Sequence, residues 1–330
     1  MRPKREETDG MSLLEANRLF ELSKRAHWAF PSSFGRPVRW NNLERWVEEL
    51  DKKRGPFVRA VTFLMNNGQE DKAVELAARV WRLWILARDD GGGRRLLAKV
   101  LDKGSRKPSK ARALALYGDS LLAMRQGKTD ESKKSSTEAL KVAKKVGDSE
   151  ALTLANLALS RVAFERGDYQ ESLSRAKDAR RLARVLDPAF GQAPLFMEAQ
   201  SYRMLGDYDR ASSLFGQSVE LNKRIGDKGM VIAELNNLGL VEIHRNNVHV
   251  AERLLVESEK ISGTKGNNPY GEGMSFLNEA MVAFRKGEIP QARSLLLKAK
   301  SAFLRTKVEL ARDDKSELDW LDQELSQISG

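Results

Sequence analysis

Only three side chains among the 330 residues of this sequence are histidines, and there is no cysteine. His244 and His249 stand five residues apart, so one face of a helix cannot present both of them. His27 lies far away along the chain. A zinc site needs about four ligands of this kind, and no further ligands stand nearby. The sequence therefore predicts no metal site, and it offers neither a disulfide nor a thiolate.

The motifs of common catalytic sites do not occur either. The sequence contains no H-E-x-x-H, no G-x-S-x-G and no G-x-x-x-x-G-K-[ST] phosphate loop. Carboxylates are plentiful, but nothing in their spacing pairs them for acid–base catalysis. The glycine-rich stretch 263–273 lacks the G-K-[ST] ending and is predicted to connect two helices. We expect no catalytic residues, no cofactor and no enzymatic activity.

A repeat about 40 residues long organises the second part of the chain, as its turn residues show. These turns lie at Gly127, Gly167, Gly206, Asn246 and Gly287. Seven residues before, five after and twelve after each turn, the residue is always Gly, Ala or Ser. Small residues at fixed places allow two helices to approach closely. The fifteen positions are Ser120, Ser160, Ala199, Gly239 and Ala280; Ser132, Ser172, Ala211, Ala251 and Ala292; and Ala139, Ala179, Ser218, Ser258 and Ala299.

Each repeat divides into two helical halves. Helix-stopping residues follow the first four turns by 20 residues, at Gly147, Asp187 (before Pro188), Gly226 and Gly266. Between these marks apolar residues recur at helical spacing, as over 151–165. Asp168 precedes Glu171 by three residues, which is typical of a helix start. Because no stretch alternates like a half-buried strand, the pattern predicts an all-α chain.

The segments 152–179, 199–218 and 235–258 resemble tetratricopeptide (TPR) repeats, in the subclass with longer repeats. The resemblance implies a right-handed α-α superhelix, with about five repeats over 109–306. A C-terminal helix within 307–330 is expected to cap the last repeat, with Trp320 and Leu321 as inner anchors. The first repeat departs from the family pattern at Asp119 and Ser136, where apolar residues are usual.

The N-terminal part is predicted to contain a disordered tail at 1–10 and a basic helical segment at 11–108. Helices are expected at 11–26, 43–53, 56–67 and 69–88, followed by a short helix after Gly91-Gly92-Gly93 and a basic linker at 103–110. The stretches 66–101 and 111–127, with Trp81, Trp84 and Gly93-Arg94-Arg95, resemble the helical arm of bacterial STAND-class and LuxR-type regulators. Since the phosphate loop is missing, this resemblance implies a sensor or adaptor arm without the ATPase.

The TPR resemblance also implies which residues line the concave face, namely those about ten, six and three positions before each turn. Such a mixture of apolar, amide and basic side chains suits an extended peptide or a helix. Arg161 and Arg203 are candidates to pair with acidic groups of that partner. The alternative is that the apolar members fill an inner core. The candidate partner-binding residues are Tyr117, Arg161, Phe164, Phe196, Gln200, Arg203, Asn236, Leu240, Ile243 and Phe284.

We therefore expect an interaction module for a protein or peptide partner, either acidic or a separate regulatory ATPase, in signalling or transcription. Two alternatives stay open: an arm that senses a small-molecule inducer, and a nucleic-acid-associated protein. The second rests on charge, because residues 1–110 carry a net +9 of the total +11. A stripe of Lys177, Arg181 and Arg184 fits a phosphate-binding surface or a solvated outer face. No membrane span or signal peptide is evident, and we expect a cytoplasmic protein.

Overall fold

The computed structural model describes residues 10–26, 49–262, 269–306 and 309–328, and its regular elements there are helices. The predicted disordered tail and the start of the predicted helix at 43–53 fall on 1–9 and 43–48, outside the described residues. The α-helices are α1 (Leu13–Ala26), α2 (Arg54–Asn66), α3 (Glu70–Val80), α4 (Arg82–Leu86), α5 (Asp90–Lys103), α6 (Lys110–Arg125), α7 (Thr129–Val146), α8 (Ser149–Glu165), α9 (Tyr169–Ala183), α10 (Gln192–Met204), α11 (Tyr208–Ile225), α12 (Lys228–His244), α13 (Val248–Ser262), α14 (Pro269–Arg285), α15 (Ile289–Leu304) and α16 (Arg312–Gln327).

The chain has the predicted all-α, TPR-like architecture, in which helices pack in consecutive pairs. Two compact units can be distinguished, unit 1 over Met1–Met197 and unit 2 over Glu198–Gly330. In unit 1, α6 packs on α7 and α8 packs on α9; in unit 2, α12 packs on α13 and α14 packs on α15. The division of the sequence into segments 11–108, 109–306 and 307–330 stays a prediction.

All five predicted turns have the backbone conformation that their residue types favour. Their φ angles lie between 62° and 80°, the left-handed region that glycine and asparagine tolerate best. The residue after each turn donates its N–H to the carbonyl five residues earlier, at 2.8–3.0 Å. Gly68 makes the same turn between α2 and α3, with φ of 68°. It escaped the sequence pattern because it stands off the 40-residue period.

The predicted small residues lie where helices touch. All fifteen positions are buried. The hydroxyls of Ser120 and Ser132 are 2.9 Å apart, and those of Ser160 and Ser172 are 3.1 Å apart. A Cβ added at Gly239 would come within 2.9 Å of the Leu255 side chain. Larger residues at these places would push the paired helices apart.

Aspartates begin several of these helices, and glycines end two of them. The carboxylates of Asp148, Asp168, Asp207 and Asp227 each accept the N–H of the residue three positions later, at 2.9–3.2 Å. Gly147 and Gly226 end α7 and α11 in the left-handed conformation. After Asp187 the chain forms a 3₁₀ turn over Pro188–Gly191 before α10. The predicted stop at Gly266 lies outside the described residues.

The prediction of one long helix over 69–88 is wrong. The chain breaks at Trp81, between α3 and α4, where the Trp84 N–H bonds to the Trp81 carbonyl at 3.2 Å. Trp81 is buried, and its ring lies against Gly118 of α6, where an added Cβ would come within 2.8 Å of ring atoms. The guanidinium of Arg82 lies 4.2 Å from the Trp81 ring centroid. This tertiary packing overrides the continuous helical pattern.

Two predicted connectors are partly helical. Gly91-Gly92-Gly93 lies inside the first turn of α5, because the Asp89 carboxylate accepts the Gly92 N–H at 2.8 Å. Gly93 is also in tight contact with Trp84 and Leu122, which a side chain there would strike. The loop predicted at 263–273 is shorter than expected, since α14 begins at Pro269.

The departures of the first repeat from the TPR pattern have polar partners. The Asp119 carboxylate accepts hydrogen bonds from Arg94 Nε at 3.0 Å and from Ser135 Oγ at 2.5 Å. The Ser136 hydroxyl donates to the Ser132 carbonyl at 2.8 Å. Arg94 belongs to the motif that resembles regulator arms, so Asp119 joins that segment to the first repeat.

The contact between Trp81 and Gly118 predicts a difference between two helical glycines. Gly118→Ala should destabilise the protein by about 1–3 kcal/mol, since overpacking outweighs the better helix propensity of alanine. Gly216→Ala in α11 is the matched control, because nothing lies within 4 Å of its added Cβ. It should stabilise by up to about 1 kcal/mol. Thermal unfolding of both variants checks this, and equal shifts would contradict the described packing.

Candidate functional site

The last helix, α16, packs against the other helices of unit 2 through an apolar stripe. Leu321 and Leu325 are buried in one core cluster with residues of α14 and α15, such as Leu277 and Leu295. The Trp320 ring meets the Phe284 ring edge-on, with centroids 5.7 Å apart. Trp320 and Leu321 thus occupy the anchoring positions that the sequence predicted.

A buried arginine holds the start of α16. Arg203 of α10 donates from NH2 to Asp313 Oδ2 at 2.5 Å and from NH1 to Glu317 Oε1 at 3.4 Å. Gln200 adds a hydrogen bond from Nε2 to Asp313 Oδ2 at 2.8 Å. Asp313 and Glu317 are four residues apart, which puts both carboxylates on one face of α16. The Arg203 side chain is 1% exposed, so the charge pairs are shielded from water.

His244 at the end of α12 binds the same carboxylate from another side. Its Nε2 lies 2.7 Å from Glu317 Oε2. The imidazole stacks on the Tyr208 ring, with centroids 4.8 Å apart, and meets the Trp320 ring edge-on at 4.9 Å. Burial opposes ionisation of Glu317, but the hydrogen bond to His244 and the charge of Arg203 hold the pKa of Glu317 below its usual value.

A tyrosine of α14 completes the contact. The Tyr270 hydroxyl donates to Asp314 and accepts the Ala311 N–H at 3.3 Å. Burial, together with the neighbouring charge of Asp313, raises the pKa of Asp314 to about 6. We call Gln200, Arg203, His244, Tyr270 and Phe284 the α16-binding surface. Its residues come from α10, α12 and α14, the first helices of successive repeats.

The ten candidate partner-binding residues are distributed over different environments. Gln200, Arg203 and Phe284 come together on the α16-binding surface. Arg161, Phe196 and Asn236 are partly exposed. The remaining four are buried, and they are Tyr117, Phe164, Leu240 and Ile243.

Two of the candidates meet in unit 1. Arg161 NH1 donates to the Tyr117 hydroxyl at 3.2 Å, and the Tyr117 ring meets Trp81 edge-on at 6.0 Å. The guanidinium of Arg82 lies 6.0 Å from the Tyr117 ring centroid. Burial lowers the pKa of Arg82 to about 9, so it still carries its charge at neutral pH. This cluster connects the N-terminal segment to the first two repeats.

Among the described residues, no group of three His, Asp or Glu side chains could hold a metal ion. No described helix is long and apolar enough to cross a membrane. The most perturbed carboxyl outside α16, Glu234, lies inside unit 2 against Ser218, whose hydroxyl donates to it at 2.6 Å. Burial raises the pKa of Glu234 to about 8.

Sequence reasoning missed His244 and Tyr270 as binding residues. The spacing of His244 and His249 argues against a metal site and gives His244 no other role, and Tyr270 lies in the stretch 263–273 that is predicted to be a loop. One signal was present in the sequence: residues 301–330 carry a net charge of −3, and Asp313 and Glu317 share a helical face. That acidic face is the counterpart of Arg203.

No protein-family model matches this sequence, and no curated protein matches it. Among solved structures, a STAND protein with a TPR sensor from Pyrococcus horikoshii has a TM-score of 0.59 at 16% identity, over 96% of this chain and 50% of that chain. The apo form of RapI has a TM-score of 0.57 at 13% identity, over 87% of this chain and 86% of that chain. A Rap protein complexed with competence and sporulation factor has a TM-score of 0.55 at 12% identity, over 95% of this chain and 98% of that chain. These likenesses establish a TPR-like fold.

The buried charge pairs predict that replacing Arg203 strongly destabilises the packing of α16. Arg203→Gln leaves the buried Asp313 and Glu317 carboxylates without that positive charge, which should cost about 3–5 kcal/mol and release α16. Hydrogen exchange of residues 312–327 should accelerate strongly. The matched control is Lys315→Gln on α16, whose ion pair with Asp319 is more than half exposed. It should change stability by no more than about 0.5 kcal/mol; equal exchange in both variants would contradict the role of Arg203.

Glu234 predicts a dependence of stability on pH. Folding raises the pKa of Glu234 from 4.5 to about 8. Its contribution to the free energy of unfolding is therefore fully present below pH 4.5 and is lost as pH rises through 8. Glu234→Gln should therefore stabilise the protein at pH 8 by on the order of 2 kcal/mol, and less at pH 5. Denaturant unfolding at both pH values measures this. Glu220→Gln, at an exposed site of α11, should show no such difference.

Proposed function

We propose that this TPR-like protein is a non-catalytic module that binds a protein or peptide partner, as a regulatory adaptor or sensor arm in signalling or transcription. The observation that supports this most directly is the α16-binding surface. There, side chains from three successive inner helices hold a fourth helix by ion pairs, hydrogen bonds and aromatic contacts. Helix-in-groove binding uses the same kinds of contact.

The repeat register suggests where a partner would contact unit 1. Arg161 stands six residues before its turn, the position that Gln200 holds in the following repeat. Gln200 contacts α16, whereas Arg161 is partly exposed and bonds to Tyr117. In unit 2, Asn236 is partly exposed as well. We propose Arg161 and Asn236 as partner-contacting residues, with acidic groups as the counterpart of Arg161.

The basic N-terminal third gives less support to nucleic-acid binding than its net charge suggests. Several of its cations are already in ion pairs, which reduces the positive field that phosphates would meet. The pairs include Arg79 with Glu75, Arg94 with Asp119, and Lys110 with Glu150.

A small-molecule ligand is the second candidate, and one surface depression favours it. A depression of about 300 Å³ lies between α13, α14 and the start of α15, and its lining combines Leu255, Val256 and Val282 with the charged residues Glu252, Glu259, Glu279, Glu288 and Lys286. Such a lining suits a cationic, partly apolar molecule. We also propose the cytoplasm as the compartment, because a chain without cysteine needs no disulfide to fold and is compatible with reducing conditions.

Affinity capture tests the proposed function. The full-length wild type should retain a specific protein that Arg161→Ala/Asn236→Ala loses at least about tenfold, since each 1.4 kcal/mol changes affinity by that factor. Arg181→Ala is the control, because this side chain is 68% exposed on the second helix of its repeat. Circular dichroism verifies that all variants are folded. Equal recovery of every enriched protein by the three chains would refute the proposal.

A further inference from the structure

The contact between α16 and the other helices of unit 2 contains more charge than a helix cap needs. A cap needs only an apolar inner face, and Leu321 and Leu325 supply one. The Arg203 pairs add desolvated charges, and a buried ion pair is often no more stable than apolar residues of the same volume. Charged contacts of this kind favour one binding geometry and one type of ligand, so the α16-binding surface has the properties of a recognition site.

The hydrogen bonds of this surface are incomplete. Arg203 Nε and Gln200 Oε1 are buried and make no hydrogen bond among the described residues. The same holds for Nε of Arg285, a neighbour of this surface whose guanidinium lies 5.1 Å from the Trp320 ring centroid. Buried polar atoms normally find partners, and leaving one without a partner costs free energy. On the side of α16, Asp313 and Asp314 crowd two carboxylates into one site, and the pKa of Asp314 is raised. The helix α16 is therefore an imperfect ligand that a better one can replace.

The occupant defines the chemistry that the surface recognises. The carboxylates of Asp313 and Glu317 are four residues apart and face Arg203 and His244. Three residues after Glu317, the Trp320 ring lies between His244 and Phe284. A leucine follows and enters the core. The pattern is an acidic amphipathic helix of the form acid-x-x-x-acid-x-x-Trp-Leu. Anchors at such helical spacing are those read by groove-binding proteins.

We propose that the α16-binding surface is a docking site for an acidic amphipathic helix of a partner protein, and that α16 occupies it as an intramolecular competitor. This rests on the proposed function and names its partner class and its regulation. Only residues 305–311 connect α15 to α16, so the effective concentration of α16 at the surface is high. A partner helix binds when it complements Arg203, Gln200 and Arg285 better than α16 does.

A competition experiment on the full-length chain tests this proposal. The probe is a fluorescein-labelled synthetic peptide of residues 309–328, followed by fluorescence anisotropy. Asp313→Asn/Glu317→Gln weakens α16 in the chain and leaves the surface intact, so this variant should bind the peptide at least about tenfold more tightly than the wild type. Adding Arg203→Gln to the variant should abolish that gain. A peptide with the same two substitutions is the control ligand and should bind at least about tenfold more weakly.

Equal peptide affinity of the wild type and the released variant would overturn the proposal, and so would binding that does not depend on Arg203. A dimer of the released variant in light scattering, without peptide binding, would also overturn it in favour of exchange between two copies. If Asp313→Asn/Glu317→Gln does not fold, Trp320→Ala releases α16 through its aromatic contacts, and the same criteria apply. The affinity capture with Arg161→Ala/Asn236→Ala is a separate experiment on chains with an intact α16, so the proposed function can stand while the docking proposal fails.

Discussion

Close approach of the paired helices determines where every other side chain of the repeats lies. Fifteen small, buried residues at fixed distances from five left-handed turns set the spacing within the helix pairs. Because the spacing repeats, residues at equal offsets from the turns fall on equivalent positions of successive first helices. In unit 2 this register brings Gln200 and Arg203 of α10, His244 of α12 and Phe284 of α14 to one helix, α16.

Much of the fold could be predicted because its determinants are local. A glycine or asparagine that must adopt positive φ, an aspartate that caps a helix and a small residue at a crossing are each visible in the sequence. The errors arose where a distant contact decides. The break at Trp81 depends on Gly118 of another helix, and the helical state of Gly91-Gly92-Gly93 depends on the Asp89 cap and the Trp84 ring.

The candidate site likewise has a part that could be predicted from the sequence and a part that depends on distant contacts. The TPR resemblance, applied at fixed offsets from the turns, implied Gln200, Arg203 and Phe284 as candidates. The carboxylates that pair with Arg203 lie more than 100 residues further along the chain, and no sequence spacing connects them. The role of His244 depends on the same long-range contact, to Glu317, and no spacing in the sequence predicts that contact.

Charge pairs to Arg203 hold α16 against the other helices of unit 2. A distance between two spin labels measures this most directly, and the chain contains no cysteine that would compete for labelling. Gln323→Cys on α16 and His249→Cys on α13 put both labels at exposed sites. We predict one narrow distance distribution in the otherwise wild-type chain and a broad, longer one when Arg203→Gln is added. A narrow distribution that stays unchanged in that variant would contradict the account.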